Sequence, residues 1–454
     1  MSNKLEDMKI TKLLLQLSLP AICAQMVTLL YNLVDRIFIG HMENGDVAMA
    51  AIGVCAPIVT IVSAFTGLLG RGGAPHAAIF MGKGDDKTAE RYLGNSLSLL
   101  FTTAALLTGL VLIFKTPLLK LFGASEQTLP YAKDYISVYI LGTVFVQITV
   151  GMNYYITTQG FARTAMVTTM LGGVLNMVLD PVFIFGLHMG VSGAALATIL
   201  SQFASFIWVL SFLLGKKTTL RVKRENLRPQ WPILRKILVL GSAPFFMSAS
   251  EGVLHICFNR QCAAFGGDLA VSAMTILFSV FQCMLLPVEG VAQGSQPIIS
   301  YNYGAGKYDR IRQTIRLALI ATSCFTVAVN ILVELFPEVV IRVFSSDPEL
   351  IELGARMLRV YGAALFVHGA NSTFQQTYNS LGEGGRSFFF AFYRKVILLI
   401  PLLYLLPNFL GTWSVAAVVL AEPVSDFLTA ATNAVYFRHF LKKKLRTDNA
   451  VPAA

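Results

Sequence analysis

Apolar residues in this chain fall into twelve long runs separated by short polar segments, and within the runs apolar and polar positions do not alternate. The runs lie at about 13–40, 47–80, 92–114, 131–158, 165–186, 191–214, 237–265, 269–302, 314–336, 351–381, 387–407 and 412–437. As a helix, each is long enough to cross a hydrocarbon layer about 30 Å thick. Strands of a membrane barrel would read as alternating segments of about ten residues. The pattern therefore predicts an all-α membrane protein with twelve transmembrane helices.

The runs also repeat. Gly70-Arg71-Gly72-Gly73-Ala74-Pro75 leads to Met81-Gly82-Lys83-Gly84-Asp85, and Gly294-Ser295-Gln296-Pro297 leads to Tyr303-Gly304-Ala305-Gly306-Lys307. Pro75 and Pro297, Gly82 and Gly304, Gly84 and Gly306, Phe122 and Phe344, Tyr139 and Tyr361, and Gly160 and Gly382 all share one offset of 222 residues. Six helices per half make both halves enter the membrane in the same direction. The two six-helix lobes are then related by a pseudo-two-fold axis along the membrane normal, a plan typical of transporters. The lobes are expected at 1–214 and 237–441, with a basic linker at 215–236 and a tail at 442–454. Each lobe also carries a short amphipathic stretch after its third run, at 118–131 and 339–353.

Composition sharpens this picture. Only 13% of the residues are charged, against about 25% in soluble domains. The net charge of +11 could invite nucleic acid, but its distribution argues for topology. Counted by alternate loops, 27 Lys and Arg fall on the side of the N-terminus, among them those of 386–395, and six on the other. The positive-inside rule places both termini in the cytoplasm of a multi-pass cell-membrane protein. Residues 1–12 are polar and the first run is too long for a signal peptide, so no cleavable signal is expected. Cys23, Cys55, Cys257, Cys262, Cys283 and Cys324 all lie in apolar runs and read as small buried side chains. The Gly-Lys-Gly segment lacks full phosphate-loop spacing and reads as a tight interhelical turn.

Ionisable residues inside a span are costly, about 2.5–3.5 kcal/mol or more each, so each one points to function. The candidates are Asp35, Asp180, Glu251, Glu289, Glu334, Glu422 and Asp426, with Arg36, Arg71 and Arg260. Glu334 and Asp426 stand near the ends of runs, where side chains can snorkel. Asn176 and Asp180 are four apart and share a helix face, Pro181 interrupts that helix, and Thr198 offers a neutral oxygen among small residues. Two carboxylates in one dry pocket cannot both ionise cheaply, so a proton, Na⁺ or an organic cation would satisfy the site. The bland alternative is that Asp35 pairs with Arg71 or Arg36 to pin helices. In the second half Glu251 and His255 share a face, with Gln282 and Asn371 on later runs as further substrate-contacting candidates.

The chain resembles the multidrug and toxic compound extrusion (MATE) family in its bacterial branch, over about 13–441. The resemblance rests on Tyr31-Asn32-Leu33-Val34-Asp35-Arg36-Ile37-Phe38-Ile39-Gly40, on 70–84, on Leu175-Asn176-Met177-Val178-Leu179-Asp180-Pro181, on 193–198 and on 293–307. It implies an antiporter that exchanges cationic or amphipathic organic compounds outward for H⁺ or Na⁺ inward. By the same resemblance Asp35, Asn176, Asp180 and Thr198 match the family's first-lobe cation site, as proton carriers or as Na⁺ ligands. Glu251 matches an acid that some members carry on the seventh helix. Those members pair it with an acid on the tenth, where this chain has Asn371. Arg71 and Glu289 depart from the pattern. The expected partners are small organic substrates and the bilayer, with no nucleic acid, no cofactor besides the coupling ion, and a monomeric chain. The rivals are a flippase for a lipid-linked precursor and a membrane enzyme. Against the enzyme, His41, His76, His188, His255, His368 and His439 are scattered without metal-site spacing.

Overall fold

The computed structural model describes residues 4–410 and 414–445, and every regular element among them is helical. After a short helix α1 (Lys4–Asp7) come α2 (Ile10–Gly40), α3 (Gly45–Gly82), α4 (Asp86–Leu121), α5 (Thr128–Tyr139), α6 (Thr143–Thr158), α7 (Ala162–Pro181) and α8 (Gly190–Leu214). Helix α5 runs into α6 through one 3₁₀ turn, and α7 continues into a π-wound turn, Val182–Gly186. The first lobe thus has six spans. The second lobe begins with α9 (Trp231–Gly304), 74 residues long. At 1.5 Å per residue that is over three times the hydrocarbon thickness. Gly267 breaks it with φ 66° and ψ −165°, and the chain doubles back, because Phe258 and Phe278 on either side of the break stack edge to face at 5.7 Å. Next come α10 (Tyr308–Leu335), α11 (Pro337–Arg342), α12 (Pro348–Gly362), α13 (Leu365–Ser380), α14 (Gly384–Phe392), a π-wound stretch Tyr393–Leu399, α15 (Ile400–Leu410) and α16 (Ser414–Lys444). With α9 as two spans, α12 and α13 as one, and α14 to α15 as one, the second lobe also has six.

The duplication read from sequence recurs in the backbone. Phe114 bends α4 (φ −105°, ψ 16°), and Phe336, 222 residues later, separates α10 from α11 (φ −128°, ψ 44°). Gly84 and Gly306 close the equivalent turns at φ 77° and 69°, and Gly160 and Gly382 do so at 86° and 74°. L-residues with a Cβ avoid that region, so glycine is retained in both copies. The π-wound stretches also fall in equivalent spans.

The lobes meet along α2, α3 and α9. Gly82 and Gly304 end equivalent helices and lie against each other's neighbours: a Cβ on Gly304 would strike the Ile79 carbonyl, and one on Gly82 the Tyr301 carbonyl. Gly72 and Gly241 repeat this against the Ile237 and Leu68 carbonyls, and Gly290 and Gly294 of α9 pack on Ile22 and Ser18 of α2. All of these contacts lie in the half of the spans nearest the N-terminus. On that face α1 clasps the second lobe, with Lys307 Nζ donating to Glu6 Oε1 at 2.6 Å and Arg310 to the carbonyls of Leu5 and Met8 at 3.1 and 2.9 Å.

The structure corrects two sequence-based expectations here. Helix α9 begins at Trp231, so the last six residues of the expected linker are helical. Lys395 is buried and Arg394 half-buried in the π-wound stretch of the eleventh span, so the basic side carries 25 of the cations assigned to it. Of the expected tail, 446–454 lies outside the described residues.

Candidate functional site

Three helices of the first lobe assemble the predicted site. Asn176 and Asp180 stand one turn apart on α7, just before it passes into the π-wound turn. Gly193 lets α8 approach the Phe183 carbonyl, which carries Thr198 toward α7. Asn176 Nδ2 donates to Asp180 Oδ1 at 3.0 Å and lies 3.5 Å from Thr198 Oγ1. Thr198 spends its own proton on the Ala194 carbonyl (3.1 Å), so its lone pairs face the site. Asp35, from α2, brings its carboxyl within hydrogen-bonding reach of Asp180. Asp180 is fully buried, and Asp180 Oδ2 and Asp35 Oδ1 are both enclosed without a donor. The structure thus brings together all four residues singled out from the sequence.

Among the described residues no cation forms an ion pair with these carboxyls. Arg71 points away and donates through Nε to the Tyr154 hydroxyl at 2.8 Å, so it does not pin Asp35. Arg36 is exposed on the neighbouring position, and adjacent helical residues point apart. Tyr135, stacked on Tyr139 at 5.7 Å, faces the carboxyls from α5. Sequence reading gave no hint of them, because aromatic residues at helical spacing usually mark ordinary packing. Two enclosed carboxyls with lone-pair acceptors around them can hold a proton between them or a small cation.

In the second lobe, Glu251, Gln282 and Asn371 line one cavity of about 410 Å³. His255 does not join them, since its ring stacks on Phe278 at 4.1 Å. The cavity is backed by a buried ionic cluster that the sequence reading missed. Arg394 donates to Asp426 Oδ1 at 2.5 Å and to Glu422 Oε1 at 2.8 Å. His368 Nδ1 stands 3.7 Å from Asp426, and Lys395 Nζ donates to the Met247 carbonyl (2.9 Å), 3.8 Å from Glu251. Asp426 is buried and ion-paired, so it does not snorkel. The available signal was the i, i+4 spacing of Glu422 and Asp426 and two adjacent cations inside an apolar run.

A family model, MatE, matches residues 20–182 and 245–405, one stretch in each lobe. The chain belongs to the MatE family. It is 25% identical over 446 residues to the multidrug export protein MepA of Staphylococcus haemolyticus, covering 98% of this chain and 97% of that one. Its fold matches a MATE protein solved in the bent conformation, with a TM-score of 0.91 at 23% identity and 97% of both chains covered. It equally matches the outward-facing conformation of a multidrug resistance MATE transporter, again with a TM-score of 0.91 and 23% identity, covering 98% of this chain and 99% of that one. MatE membership and the twelve-span, two-lobe plan make this an integral membrane protein.

Proposed function

We propose that this protein is a secondary antiporter of the cell membrane, exporting small organic compounds in exchange for H⁺ or Na⁺. Binding of the ion at Asp35 and Asp180, with Asn176 and Thr198 as neutral partners, favours one orientation of the lobes over the other. The ion drives export only through its differential affinity for the two states. One observation carries this reading: an enclosed carboxyl pair without a counter-charge among the described residues, in a lobe that also holds a cavity of about 260 Å³. The name of the staphylococcal relative supports drug export over translocation of a lipid-linked precursor. The excess of basic loops on the face where the lobes touch supports cytoplasmic termini, hence a state sealed toward the cytoplasm. The chain works as a monomer on this reading, with substrate entering between its own lobes, and performs no chemical conversion.

The test is ethidium efflux from proteoliposomes with proton and sodium gradients imposed separately. One of the two gradients is expected to drive efflux in the wild type, and neither in Asp35→Asn. Efflux that responds to neither gradient in the wild type removes the antiport claim.

A further inference from the structure

Arg71 lines two cavities, one of about 260 Å³ in the first lobe and one of about 410 Å³ in the second, and Gln25 is likewise common to both. Among the described residues lining the first-lobe cavity, Arg71 is the sole charged one. Its Nε is spent on Tyr154, but its two terminal NH₂ groups have no hydrogen bond or ion pair within the described protein. Glu251 and Glu289 face it from the second lobe without reaching ion-pair contact. Arg71 is exposed to the chamber, so its two terminal NH₂ groups are open to a ligand that enters it.

The surroundings say which partner fits. Tyr154 accepts from Arg71, so its own proton is free to donate into the cavity. Gln25 and Gln293 also line it and make no hydrogen bond to the described protein, leaving their amide N–H groups available. A planar fork with a phenol and two amides beside it matches a carboxylate or similar oxyanion, which Arg binds through two parallel bonds. Glu251 and Glu289 line the second cavity together with Arg71, Arg394 and Lys395; Lys395 stands 3.8 Å from Glu251, so Glu289 is the acid there without an ion pair among the described residues, open to the cationic end of a zwitterion. By the internal duplication the counterpart of Arg71 is Gln293, which is neutral, so the charge belongs to one copy only.

We infer that Arg71 receives an anionic group of the exported compound, so that the chamber prefers zwitterionic organic molecules to the corresponding plain cations. This rests on the export reading only in taking the chamber as the substrate's path. The test compares two forms of one dye, a tetramethylrhodamine with a free carboxylate and its methyl ester, by fluorescence anisotropy on the purified full chain in detergent. The wild type is expected to bind the free acid about tenfold more tightly, the scale of one charge-assisted contact. Arg71→Gln is expected to erase the preference while leaving ester binding intact, and Arg71→Lys to keep only part of it. Equal binding of both dyes by the wild type overturns the inference and leaves the export reading standing. So does a full preference persisting in Arg71→Gln or, where that variant does not fold, in Arg71→Lys. Binding of neither dye removes the chamber as a substrate site and overturns both.

Discussion

Asp35 and Asp180 were legible because a carboxylate inside an apolar run has few structural excuses, and the Asn176 spacing put a polar partner on the same face. The Arg394 cluster was not legible in the same way. Arg394 lies eight residues from Arg386 at a basic helix start, so counting by loops swept it to the surface, and Asp426 looked close enough to a helix end to reach water. The structure instead closes Arg394 between Glu422 and Asp426. Removing one member of a buried ionic group leaves the others uncompensated. Arg394→Ala should therefore destabilise the second lobe by about 3–5 kcal/mol, seen as a lower melting temperature in detergent. Asp35→Asn should melt within a degree or two of the wild type, since it leaves no charge stranded, while abolishing gradient-driven efflux. A large loss of stability in Asp35→Asn would assign that residue to helix packing.

At the scale of elements, the turns and repeat points were readable from glycine, because the same offset fixed Gly84 with Gly306 and Gly160 with Gly382. The clasp of α1 over the second lobe was not, since a short polar segment carries no periodicity that names its partner. Gly304 packs against the Ile79 carbonyl with no room for a side chain. Gly304→Val should cost about 1–3 kcal/mol in the state where the lobes touch. Cysteine cross-linking across the α3–α9 contact should fall accordingly. In the clasp, a hydrogen bond and charge attraction from Lys307 hold the Glu6 carboxyl below the usual glutamate range. A depressed folded-state value means the contribution is fully present above the ordinary glutamate pKa and is lost as pH falls through the lowered one. Spin labels on α1 and on the loop before α10 should thus stay close through mildly acidic pH in the wild type. In Lys307→Gln they should separate at every pH.

The whole molecule is two similar lobes carrying different chemistry: an uncompensated carboxyl pair in the first, and a self-neutralised ionic cluster beside a polar cavity in the second. Twelve spans and their duplication followed from the length and offset of apolar runs, which the bilayer dictates. Which polar groups meet across lobes did not follow, because helix rotation is set by packing that no single run reveals. The difference between lobes explains why ion coupling is assigned to the first. In the second, the Arg394 guanidinium already occupies the place between acids that a mobile cation would take. The account therefore stands on the carboxyl pair choosing the orientation of the lobes. Spin labels at Lys87 and Asp309, exposed on equivalent helix starts of the two lobes, would report that choice as a distance by double electron–electron resonance. The wild type should shift between two distance populations as pH or Na⁺ is varied, and the Asp35→Asn/Asp180→Asn double variant should hold one population throughout. An unchanged shift in the double variant would contradict the account.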